Sequence, residues 1–337
     1  MILILKKSAS AADVERMKAR ISTLGGSAEV IPDDKRVILR LSGEELERIS
    51  YAFEAEEIVE QVIPLSKPYR LALKTESSQP TVVRVGHVEF GSNKVVIIAG
   101  PCAVESEAQI VGVARELKAC GAQILRGGAF KPRSSPHSFQ GLAHEALSML
   151  RIAREETGLP IVSEVVTQED LVPIAEVADM IQIGAKNMQN FRLLRAAAKM
   201  NKPILLKRGP VASVTELLLS AEAILEEGNT QVVLCERGLK SFFRETRHLL
   251  DISAIPLLHQ MTHLPVIVDP SHGTGRRSLV APMALAGIAA GADGLMIEVH
   301  PRPFEALSDG FQQLSPDEFT KLMAHAKAVA SAVGRVV

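Results

Sequence analysis

Tryptophan is absent from the 337 residues, and only two tyrosines occur. With aromatics at 4% of the chain, little is available for the stacking platforms on which nucleic-acid bases lie. Cysteine is scarce as well. Cys102, Cys120 and Cys235 are too few for a disulfide framework, so a reduced, cytoplasmic compartment is expected. No apolar run is long enough to span a bilayer, and the opening Met1-Ile2-Leu3-Ile4-Leu5-Lys6 is too short to read as a signal peptide. Neither charge dominates: 38 Lys and Arg against 39 Asp and Glu leave a formal net charge of −1. No global field draws the chain to nucleic acid or a membrane, and neither is expected as a partner.

What is present is a globular composition, 47% hydrophobic and 23% charged, with room for a large domain and a small one. Residues 1–64 read as strand, helix, strand, strand, helix, strand, the ferredoxin-like βαββαβ plan. The strands fall at Ile2–Lys6, Ala28–Ile31, Arg36–Leu41 and Ile58–Ile63, and the helices at Ala11–Leu24 and Gly43–Phe53. No catalytic cluster sits there, so this part is expected to pack, to assemble or to regulate. Prolines and serines mark a linker at 65–80, and residues 81–337 are expected to form the catalytic domain. It opens with a hairpin around Gly86 that could plug the bottom of a barrel. From residue 95 onward, eight short apolar runs alternate with amphipathic stretches over about 240 residues. Runs that are apolar throughout are buried on both faces, as in a parallel sheet. The pattern predicts an α/β fold of the (β/α)8, TIM-barrel type. A doubly wound open sheet is disfavoured because no G-x-G-x-x-G follows the first run.

In such a barrel, chemistry sits at the C-terminal ends of the strands. The run Gln123–Arg126 breaks at Gly127-Gly128 and is followed by Lys131-Pro132-Arg133-Ser134, a cradle for a small anion. The other runs end in Cys102, Glu164, Lys186, Lys207-Arg208, Glu236-Arg237, Asp269 with His272, and Glu298 with His300. The cations exceed what one phosphate needs, so two anionic groups are expected. Cys102, His272, Glu298 and Asp309 offer a thiolate, an imidazole and carboxylates, a donor set suited to a divalent metal. Cys120 and Cys235 read as core. His87, His137, His144, His248, His259 and His263 lack strand-end placement and read as surface or capping residues.

The stretches Ala99-Gly100-Pro101-Cys102, Leu125–Ser135, Gln182-Ile183-Gly184-Ala185-Lys186-Asn187, Leu205–Gly209, Cys235–Gly238, Val268–His272 and Ile297–Pro301 resemble the 3-deoxy-D-arabino-heptulosonate 7-phosphate synthases. The likeness is to the shorter class with an N-terminal ferredoxin-like domain. It implies condensation of phosphoenolpyruvate with erythrose 4-phosphate, the first step of the shikimate pathway to aromatic amino acids. By position, Cys102, His272, Glu298 and Asp309 would hold a divalent metal, often manganese. Arg126, Lys131, Lys186, Lys207 and Arg237, with the backbone at Gly184-Ala185, would hold phosphoenolpyruvate. Lys131, Pro132, Arg133 and Ser134 would hold erythrose 4-phosphate, and Asp269 joins the substrate contacts. Lys186 stands where the family often has arginine, keeping the charge without the fork. Lys131 is assigned as general acid, and Glu164 is our candidate for positioning water. The resemblance further implies a homotetramer and feedback inhibition by tyrosine or phenylalanine. The alternatives are 3-deoxy-D-manno-octulosonate 8-phosphate synthase, which uses arabinose 5-phosphate, and a non-catalytic sugar-phosphate sensor.

Overall fold

The computed structural model describes residues 1–33, 36–43, 46, 50–63, 67–131, 137 and 139–337, apart from the side chains of residues 50 and 51. Two compact units emerge, Met1–Arg70 and Leu71–Val337. In the first, strands β1 (Ile2–Leu5), β2 (Ser27–Ile31), β3 (Val37–Ser42) and β4 (Val59–Ile63) form an antiparallel sheet in the order β2-β3-β1-β4. The helix Ala11–Thr23 starts at a Ser10–Asp13 capping box, which satisfies two otherwise orphaned backbone donors. It buries Met17 and Ile21 with Leu3, Leu5, Leu39 and Phe53. The second helix, expected from Gly43, is described over Ser50–Glu54. This is the ferredoxin-like arrangement.

In the second unit, β5 (Val83–Val85) and β6 (Val88–Phe90) form an antiparallel hairpin, turning at Gly86 with φ +58°. Eight parallel strands then close into a barrel. They are β7 (Val96–Gly100), β8 (Ile124–Arg126), β9 (Ile161–Val165), β10 (Met180–Ile183), β11 (Ile204–Lys207), β12 (Val232–Glu236), β13 (Val266–Val268) and β14 (Gly294–Glu298). Helices follow the strands, from Glu107–Ala119 to Pro316–Ala332, with a short extra helix Pro270–Thr274 after β13. The closed barrel disposes of the open-sheet alternative. No helix among the described residues is long and apolar enough to cross a membrane.

The stretch from Leu71 is tied to the barrel rather than loose. The backbone N–H groups of Leu71 and Ala72 donate to the Glu222 carboxylate at 2.9 and 2.8 Å, and Thr81 N–H donates to the His263 carbonyl at 2.8 Å. The hairpin then contributes Val83, Val85, Val88 and Phe90 to the barrel interior, where they meet Val96, Ile98, Ile124, Val162, Met180, Leu205 and Ile267. Burying side chains of this size contributes about 1.5–3 kcal/mol each.

Side chains alternate across a strand, so a position two residues beyond an interior apolar one faces the same way. Stepping from Ile124, Val162, Met180, Leu205, Ile267 and Met296 gives Arg126, Glu164, Gln182, Lys207, Asp269 and Glu298. One phase therefore builds the apolar core and, at its upper end, a ring of polar groups. Arg208 and Glu236 are out of phase with it. The buried Arg208 guanidinium donates to the buried Glu236 at 2.8 Å and to the half-buried Asp251 at 3.1 Å, behind the strands. Arg208, counted among the interior cations from sequence, is therefore a structural ion-pair residue.

Burial pushes the Glu236 carboxyl up even though Arg208 opposes it. Arg208→Met would strand that carboxylate, and a destabilisation of about 3–5 kcal/mol is expected. A carboxylate raised in the folded state withdraws stability as pH rises through its folded pKa. Denaturant titrations should therefore show a larger loss at pH 8 than at pH 5.

Candidate active site

The ring opens onto a pocket lined by Lys131, Glu164, Gly184, Ala185, Lys186, Lys207, Arg237, Arg247, His272 and Asp309. Lys131 follows β8, Glu164 lies on β9, Gly184 to Lys186 follow β10, and Lys207 ends β11. Arg237 follows β12, His272 sits on the short helix after β13, and Asp309 comes from the loop after β14. Seven of the eight strand ends, those of β8 to β14, thus contribute to a single mouth.

Two glycines let the backbone come close enough. At Gly100, φ is +151° and an added Cβ would stand 2.0 Å from the Arg126 carbonyl. At Gly184 an added Cβ would stand 1.9 Å from Glu164 Oε1. Glu164 is held from its other side by Gln182, whose amide donates to Oε2 at 2.9 Å.

Beside the pocket, Cys102, Glu298 and Asp309 bring one ligand atom each within 4.8 Å of one another. His272 lies next to this group, with Nε2 3.3 Å from Glu298 Oε1. Its Nδ1 pairs with Asp269 Oδ2 at 2.8 Å, and its backbone N–H donates to Asp269 Oδ1 at 2.9 Å. Burial pushes the imidazole pKa down, against the pull of Asp269 and Glu298. With Nδ1 against Asp269, a neutral ring would carry its proton there and offer the Nε2 lone pair toward Glu298. Two acceptors facing each other at that distance suit a cation. The orienting carboxylate behind the imidazole is the usual outer partner of a metal-bound histidine. A thiol, two carboxylates and a neutral imidazole fit a divalent transition metal.

Burial opposes the charge on Glu298, but His272 and Arg126 outweigh it and hold the carboxyl at about 2. Burial and Glu298 push the Cys102 thiol up to about 11. Lys131 Nζ donates to the Cys102 carbonyl at 2.9 Å and to Sγ at 3.1 Å.

Two residues expected to touch substrate lie behind the mouth. Arg126 is buried, donating to Glu298 at 2.5 Å and to the Cys102 carbonyl at 3.2 Å. Asp269 is fully buried and commits its oxygens to His272 and the Lys207 ammonium. Burial disfavours its charge, yet His272 and Lys207 outweigh it and keep the carboxyl well below its usual range. Pro132, Arg133 and Ser134 lie outside the described residues. His300, another strand-end candidate, is spent on Glu105 at 3.3 Å and on the backbone N–H of Arg302 at 3.0 Å. Cys235 is interior packing, and Cys120 contacts Thr320 at 3.0 Å.

Sequence reasoning missed Arg247 and read His248 as a surface or capping residue. Both sit in the irregular loop after β12, where no periodicity marks them. Arg247 reaches Asp309 at 3.6 Å. His248 contacts Arg237 at 3.2 Å; burial, Arg237 and Arg247 together push its pKa down to about 4.

Asp269→Asn removes the carboxylate charge and puts an NH2 donor in place of one of the two oxygens that orient His272. Binding of manganese(II), measured by equilibrium dialysis, should weaken about 10–100-fold.

Comparisons with known proteins agree with this fold. Residues 72–334 match the DAHP synthetase I family, and residues 1–67 match the DAHP synthase ferredoxin-like domain. The phospho-2-dehydro-3-deoxyheptonate aldolase of Thermotoga maritima is 43% identical over 334 residues, covering 99% of each chain. The crystal structure of a DAHP synthase from that organism superimposes with a TM-score of 0.97 at 42% identity, covering 100% of this chain and 98% of the other. A 2-dehydro-3-deoxyphosphooctonate aldolase from Syntrophotalea carbinolica is 32% identical, covering 74% of this chain and 96% of its own. The chain belongs to the DAHP synthetase I family, as an aldolase-type transferase with the ferredoxin-like DAHP synthase domain at its N-terminal end.

Proposed function

We propose that the chain condenses phosphoenolpyruvate, erythrose 4-phosphate and water to 3-deoxy-D-arabino-heptulosonate 7-phosphate and inorganic phosphate. The observation that carries this reading is the shared mouth. Lys131, Lys186, Lys207 and Arg237 line one pocket with His272 and Asp309. The cations suit the phosphate and carboxylate of phosphoenolpyruvate. A divalent cation held by Cys102, His272, Glu298 and Asp309, with manganese the expected one, would act as Lewis acid on the aldehyde oxygen.

The protein's own groups account for the remaining steps. C3 of phosphoenolpyruvate attacks the aldehyde carbon, and the new alkoxide takes a proton from Lys131, whose Nζ already lies against Cys102. Positive charge at C2 is met by a water that Glu164 orients. The tetrahedral centre then expels phosphate into the field of Lys186, Lys207 and Arg237, one proton of the water leaving with the phosphate and the other restoring Lys131. The expected erythrose 4-phosphate contacts at Arg133 and Ser134 complete the proposal. So do a domain division at 64 and 80, a cytoplasmic homotetramer, and inhibition by tyrosine or phenylalanine acting through residues 1–64.

Phosphate release from phosphoenolpyruvate should be fast with erythrose 4-phosphate, slow with arabinose 5-phosphate, and abolished by a chelator. Preference for the five-carbon sugar would favour the octulosonate reaction, as in the Syntrophotalea relative. Binding of both substrates without turnover would favour a sensor.

Gly184→Ala must push Glu164 away, given the 1.9 Å approach. A fall in kcat of at least about tenfold is expected if general positioning is at work there. Glu164→Gln with unchanged kcat would remove Glu164 from its assigned role.

A further inference from the structure

The loop that brings Asp309 to the site is strained. Asp309 has φ +51°, a left-handed conformation uncommon outside glycine. Beside it, an added Cβ at Gly310 would stand 2.2 Å from the Pro303 carbonyl, so the turn is also tightly wedged. Such strain persists only where surrounding contacts over-determine the backbone. The contacts here come chiefly from two consecutive glutamines, Gln312 and Gln313, both fully buried.

Gln313 spans two parts of the site. Its Oε1 accepts the backbone N–H of Cys102 at 3.0 Å, and its Nε2 donates to the Ser308 carbonyl at 2.8 Å. One amide thus fixes the distance between the Cys102 backbone and the residue preceding Asp309. Ser308 Oγ also lies 3.1 Å from Cys102 Sγ. Gln312 works toward the third donor. Its Nε2 donates to Glu298 Oε2 at 2.5 Å, and its Oε1 accepts from Arg247 at 3.2 Å. Its backbone N–H donates to the Asp309 carbonyl at 3.1 Å, closing the turn. Arg247 in turn is anchored through its N–H on the Thr274 carbonyl at 2.9 Å, at the end of the helix bearing His272.

We propose that Gln312 and Gln313 are positioning residues for a divalent metal: Gln313 spaces Cys102 from Asp309, and Gln312 fixes the rotamer of Glu298. A neutral amide suits this task. It donates and accepts at once, which matches a carbonyl or carboxylate on one side and an N–H on the other. It also adds no charge that would compete with the cation or repel the carboxylates. The inference rests on the ligand set proposed above.

The test uses the full-length, metal-free protein and cobalt(II) alone. A thiolate-to-cobalt charge-transfer band reports whether Cys102 is a ligand, and equilibrium dialysis gives the dissociation constant. The wild type should show the band, and Cys102→Ser should lose it. Gln313→Leu and Gln312→Leu should each bind cobalt about 10–100-fold more weakly, the range expected when an outer partner of a ligand is removed. Gln313→Leu should also show a diminished band at saturation, whereas loss of general stability would not alter band strength per bound ion. Far-UV circular dichroism in chelator confirms folding; should a leucine variant not fold, Gln313→Met or Gln312→Met preserves the length and carries the same test. Wild-type affinity and full band strength in both glutamine variants would overturn the positioning role alone. A wild type without any thiolate band would overturn the ligand set and this inference with it.

Discussion

The two-residue repeat of the barrel strands is the constraint on which everything else hangs. A strand has two faces, and in this barrel one of them looks inward along its full length. The residues that fill the interior therefore also decide which residues reach the mouth. Ile124 commits Arg126, Leu205 commits Lys207, Ile267 commits Asp269 and Met296 commits Glu298. A slip of one residue in any strand would exchange a core side chain for an outward one and remove a polar group from the ring. Packing and chemistry cannot be altered independently here.

Concentrating charge this way is costly unless each charge has an opposite close by. Arg126 meets Glu298, Lys207 meets Asp269, and His272 lies between Asp269 and Glu298. The interior network shares its carboxylates among several donors, so no single pair is self-sufficient. Behind the wall, Arg208, Glu236 and Asp251 repeat the device for purely structural ends. The two networks are separated by a single strand and distinguished only by phase.

Much of this was legible in the residues. Buried apolar runs and their spacing gave the barrel, because strands covered on both faces leave an unmistakable pattern. The strand ends gave most of the pocket lining, from Lys131 through Asp309. The pattern could not say how deep each group sits. Arg126 and Asp269 read like substrate contacts, and here both are buried and engaged with Glu298, His272 and Lys207. Arg208 looked equivalent to Lys207 because only phase separates neighbours. Arg247, Gln312 and Gln313 left no trace, and His248 read as a surface residue, since irregular loops lack a period and a glutamine looks the same on a surface as in a core.

The β5–β6 hairpin carries one further consequence. Val83, Val85, Val88 and Phe90 fill the lower end of the barrel interior. Among the described residues the pocket lies at the opposite end, where the strands finish. A molecule settling against the innermost cations meets a wall of packed apolar side chains beneath it, and it leaves by the end through which it came.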